Sequence, residues 1–203
     1  MKTKNFALLL SFVLISGLPV FADQDYYQDN YTYQEAEEEQ EAVVNSQDLP
    51  IVKFLQDAYS IQDITNVSTV WDNCSDKSDV IVTLYLSKIS SVSPIEINML
   101  RRKGLHWSDI VGRLDISPRN ILPQFNSCPV SDQQRDHVMQ IVTLQNWLRN
   151  REKYPLYDKT LRHLCIANLL VDFRNYTPIK AAQAVQMELD PINAVYRFFV
   201  EKD

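Results

Sequence analysis

Three histidines, three cysteines and a cluster of arginines are the side chains through which this chain could do chemistry. Their spacing narrows the choice. His106, His137 and His163 are never three or four residues apart, the separation that sets two metal ligands side by side on one helical face. His163 and Cys165 stand two apart, which points them away from each other on a helix. The pattern predicts no metal site and no cofactor. Cys165 lies in an apolar helical pattern and reads as a small buried hydrophobe. Cys74 and Cys128 sit in polar, turn-like settings, Asp72-Asn73-Cys74-Ser75 and Asn126-Ser127-Cys128-Pro129. They are the pair expected to form a disulfide, leaving one thiol over. Closing that loop would contribute about 4 kcal/mol in the chain-entropy model.

Among the carboxylates, Glu96, Asp109 and Asp115 are candidates for the acid and base of a glycoside hydrolase acting on cell-wall sugars, although each has a capping or surface explanation. No cysteine has an evident activating neighbour for nucleophilic hydrolysis. Arg101, Arg102, Lys103, Arg113 and Arg119 form a locally basic stretch. They are the candidate interaction surface, able to meet phosphates or to form a solvated helical face. With only 3 glycines in 203 residues, the chain lacks the material for a phosphate-cradling loop.

The segments that carry these residues differ sharply in charge. Met1-Lys2-Thr3-Lys4, the apolar run from Phe6 to Val20 and the closing Val20-Phe21-Ala22 predict a cleavable secretory signal over 1–22, with Asp23 as the mature N-terminus and a periplasmic or secreted destination. The run is too short and too polar at Ser11, Ser16, Gly17 and Pro19 for a membrane anchor, so no integral membrane segment is expected after cleavage. Residues 23–47 hold eight acidic residues and no Lys or Arg, together with Tyr26, Tyr27, Tyr31 and Tyr33. Such a composition cannot bury enough apolar surface to offset chain entropy, and predicts a disordered acidic segment. The rest is neutral: of 26 acidic and 20 basic residues, 18 of each lie in 48–203, the predicted helical domain.

Within that domain a small polar residue repeatedly precedes proline, at Ser93-Pro94, Ser117-Pro118, Thr177-Pro178 and Asp190-Pro191, the pattern of a helix start. Ser93 with Glu96 and Ser131 with Gln134 have capping-box spacing. Gly104 is placed to end the helix that begins at Pro94. A long amphipathic helix is expected from Asp132 to Arg151, with Val138, Ile141, Val142, Leu144 and Leu148 on or near one face. The β-branched run Val80–Leu86 suits a buried strand or a helix. A shift of 84 residues pairs Asp79–Val111 with His163–Val195, matching Leu86 with Leu170, Ser93-Pro94-Ile95 with Thr177-Pro178-Ile179, and Leu105 with Leu189. Because Leu161–Phe173 is helical in composition, the comparison favours a helix for the first copy as well. Duplication and chance identity both remain open as its origin. The predicted fold class is all-α, a small bundle that accommodates two duplicated helical units after the acidic segment.

The stretch Ser93–Ile121 resembles the helix-turn-helix of bacterial regulators, departing from it at Val111, where a small residue is usual, and at Asp115, where the turn glycine is usual. That resemblance implies DNA binding, although an exported protein meets no chromosome. The stretch also resembles a phrase of uncharacterised secreted bacterial helical proteins, Ser-Pro-x-x-Ile-x-x-Leu-Arg-x-x-Gly-x-x-Trp-x-x-Ile, carried here by Ser93, Pro94, Ile97, Leu100, Arg101, Gly104, Trp107 and Ile110. The second resemblance implies a structural helical module, with Trp107 and Ile110 as core anchors and Gly104 as the turn. The expected function is a non-enzymatic interaction module of the cell envelope. Its partner would be an envelope protein or an anionic polymer rather than nucleic acid, with an envelope hydrolase as the alternative.

Overall fold

Proline at the first helical position and a left-handed residue just past the end set many helix boundaries in this chain. The computed structural model describes residues 45–200; the expected signal peptide and most of the acidic segment lie outside the described residues. Ten α-helices follow one another among the described residues. They are α1 (Pro50–Tyr59), α2 (Ile64–Asn73), α3 (Lys77–Ser90), α4 (Pro94–Arg102), α5 (Trp107–Arg113), α6 (Pro123–Asn126), α7 (Met139–Arg149), α8 (Asp158–Arg174), α9 (Pro178–Gln186) and α10 (Ile192–Val195). No strand occurs among the described residues. The Val80–Leu86 run is therefore helical, as its sequence repeat indicates.

Two helices form the centre. Every residue from Ser78 to Ser87 of α3 is buried, and in α8 burial from Thr160 to Leu170 is interrupted only at Arg162. Neither helix has one apolar stripe, as expected of a helix surrounded by protein. They pack on each other, with α4 against α3 and α9 against α8. Further layers come from α1 and α2 on one side and from α7 on α8. Trp107 and Ile110 are fully buried. Each fully buried large apolar side chain stabilises by about 1.5–3 kcal/mol.

The 84-residue shift holds in the backbone. Helix α4 starts at 94 and ends at 102, whereas α9 starts at 178 and ends at 186, each 84 further on. Ser91 and Asn175, also 84 apart, are both left-handed, with φ of 59° and 53°. Gly104 takes φ of 85° after α4, where a side chain would be strained. Asp115 occupies a left-handed turn position, φ 49°, where glycine is usual in the regulator motif.

Two local expectations are corrected. Ser93 makes no side-chain cap, whereas the Ser131–Gln134 box forms. The helix expected over Asp132–Arg151 is divided: Asp132–Val138 is 3-10 and α7 begins at Met139. The Asp132–His137 run has no apolar residue to bury, and Val138 departs from helical dihedrals at φ −138°, ψ 38°. The described residues also include 45–47, ahead of the boundary expected at 48. Asn45 caps a 3-10 turn at Ser46–Asp48, and Ser46 Oγ donates to Asp72 at 2.9 Å.

Candidate functional site

Of the five basic residues expected to form one surface, four are exposed and one is not. Arg101 turns inward. Its Nε donates to Asp79 Oδ2 at 3.0 Å, its Nη1 donates to the Leu105 carbonyl at 2.8 Å and pairs with Asp158 Oδ2 at 2.8 Å, and its guanidinium lies over the Trp107 ring. Arg102 is exposed and donates to Asn73 Oδ1 at 3.2 Å. Lys103 and Arg113 are exposed at the ends of α4 and α5, and Arg119 belongs to a different recess. After Ser117-Pro118 the chain makes a single 3-10 turn, Pro118–Asn120, too short to serve as a groove-reading helix.

Asp79 is the centre of the network that takes Arg101 out of solvent. Its Oδ1 accepts from Trp107 Nε1 at 2.9 Å and from Arg162 Nε at 2.5 Å, and its Oδ2 accepts from Arg162 Nη2 at 3.0 Å. Arg162 also pairs with Asp76 at 2.8 Å, and Asp158 Oδ1 accepts the Trp107 amide at 2.8 Å. Burial acts to raise the Asp79 carboxyl, but hydrogen bonds from Arg162, Trp107 and Arg101 outweigh it and hold the group below its ordinary value. The arrangement ties α3, α4, α5 and α8 together. It satisfies itself, and its chemistry is that of a clamp.

Cys74 and Cys128 are not bridged; all three cysteines are free thiols. Cys74 is buried at the end of α2, where its Sγ lies 3.4 Å from Asn98 Oδ1 of α4, in the recess beside Asp79. Cys128 lines another recess, beside α7. Polar neighbours in sequence suggested two exposed loops, but the end of α2 packs against α4 and encloses Cys74. Burial pushes the Cys74 thiol up to about 11 and raises Cys128 and Cys165 as well. His163 is buried, with Nδ1 3.3 Å from Gln140 Nε2, and its pKa is pushed down to about 4 by burial and then by Lys159 and Arg162. His106 and His137 are exposed, as are Glu96, Asp109 and Asp115. No group of three metal-binding side chains comes together among the described residues.

A recess of about 820 Å³ lies between the Ser117–Val130 stretch and α7. Gln145 of α7 shapes it by donating to the carbonyls of Phe125 and Cys128, at 3.0 and 2.8 Å, which pins that stretch against the helix. Arg119, Arg135, Arg149 and Arg151 line it, and no acidic residue does. Arg135 has an exposed pairing with Asp132 at 3.1 Å, and Arg151 lies over the Trp147 ring at 4.9 Å. Only Arg119 was among the expected residues. Arg135, Arg149 and Arg151 were missed because no short motif joins them; the one available signal was that the α7 region ends in Arg149 and Arg151. No protein-family model, curated protein or solved structure matches the chain.

Proposed function

We propose that the chain is an exported, non-enzymatic helical module of the bacterial cell envelope that receives an anionic partner in the arginine-lined cleft. The observation that carries this reading is the cleft itself, with four arginines and no acidic residue in its lining. A concave surface of one sign concentrates its field and raises the local concentration of the opposite charge. A binding rather than catalytic role is supported by the thiols, all three of which are pushed away from the reactive thiolate, and by the solvent-exposed positions of Glu96, Asp109 and Asp115. Export is supported by Lys2, Lys4, the apolar run to Val20 and the small residue Ala22. No helix among the described residues is long and apolar enough to cross a membrane.

The test is titration with fluorescent polyglutamate. Binding is expected at about 0.05 M salt and should weaken strongly at about 0.5 M, where the Debye length is shorter. Joint replacement Arg135→Glu and Arg149→Glu should weaken it about tenfold or more. Arg102→Glu with Lys103→Glu should leave it unchanged. If the second pair carries the loss and the first does not, the partner surface is the α4 end and the cleft reading is wrong.

A further inference from the structure

We infer that the anion received by the cleft is an extended acidic protein segment with aromatic or apolar side chains between its carboxylates, rather than a phosphate or sulfate polymer. This rests on the cleft being the partner site. Every cation lining it is arginine and none is lysine. The planar guanidinium fork pairs with a carboxylate through two parallel hydrogen bonds, whereas lysine offers only a compact point charge. That preference alone would also admit phosphate, and the rest of the lining decides between them.

The arginines are interleaved with apolar groups. Pro129, Val130, Val142 and Leu148 also line the cleft, and Trp147 sits beneath Arg151. A phosphate chain brings nothing to bury against these walls. A peptide alternating carboxylates with rings matches both kinds of surface at once, because arginine stacks on aromatic faces as well as pairing with anions.

At about 820 Å³ the cleft falls in the range of about 300–1,000 Å³ typical of ligand sites, enough to enclose a few residues together.

The experiment uses the full chain with three labelled probes: a peptide alternating Glu with Tyr, one of equal charge alternating Glu with Ser, and inorganic polyphosphate. The Glu/Tyr peptide should bind about tenfold more tightly than the Glu/Ser peptide, the effect of one well-packed aromatic contact. Val130→Ser, in the loop before the Ser131 cap, should erase that preference while leaving Glu/Ser binding as it was. Equal binding of the two peptides, or polyphosphate outcompeting both, overturns the inference and leaves the anionic cleft standing. Failure of all three probes to respond to Arg135→Glu with Arg149→Glu overturns the cleft reading, and this inference with it.

Discussion

Arginine is used in opposite ways in two regions of the molecule. At the Asp79 cluster, the Arg101 and Arg162 side chains are only 19 % and 22 % exposed and together meet Asp76, Asp79 and Asp158. Around the cleft, Arg119, Arg135, Arg149 and Arg151 are exposed, and the one counter-charge paired there is Asp132 with Arg135, at the surface. A buried cation must carry its own counter-charge, because desolvation is otherwise prohibitive. A cation at the rim of a recess is solvated without one, so its charge stays available to a partner. Position relative to the core, and not residue type, separates the clamp from the binding surface.

The internal repeat sharpens this contrast. At the 84-residue shift, Asp79, Arg101 and Trp107 correspond to His163, Val185 and Pro191, so the second stretch keeps the α4 boundaries in α9 and the left-handed turn without the ion network. The clamp secures the first stretch to the start of α8, through Asp158 and Arg162.

The largest expected effect follows from breaking that junction. Asp79→Ala leaves Arg101 and Arg162 without their shared carboxylate, and removal of one partner from a buried ion pair costs about 3–5 kcal/mol. The thermal midpoint should drop by about 10 °C. A change of a degree or less would show that the network carries no load. Acid should act in two steps. His163 has its folded pKa depressed to about 4, so its contribution is complete above about 6.5 and is lost as pH falls from there towards 4. Asp79 is also depressed, so its contribution is lost only below the ordinary carboxylate range, as pH falls through its lowered value. Denaturant titrations across pH should therefore show stability falling between about 6.5 and 4, and His163→Gln should flatten that window while leaving the more acidic loss in place.

Sequence made the scaffold visible and left its polar pairings hidden. Pro94, Pro178 and Gly104 announce helix ends because proline and glycine act on their own backbone, a local effect. The apolar runs around Leu84 and Leu164 show burial for the same reason. Arg101 meets Asp79 across 22 residues and Arg162 meets it across 83, and no local pattern reports such pairs. The cleft was half visible: Arg119 stood in the basic stretch, but its companions on α7 join it only through the fold. The expected disulfide failed likewise, since polar neighbours describe the surroundings of Cys74 along the chain and not the face of α4 that covers it.

Backbone amide exchange with and without the Glu/Tyr peptide tests the division between clamp and cleft most directly. Slowing is predicted in residues 117–130 and 142–151, around Arg119, Asn126, Gln145 and Arg149, with no change near Asp76, Asp79 and Gly104. Slowing confined to the recess beside Asp79, with none along α7, would contradict it and make the buried arginines the partner site.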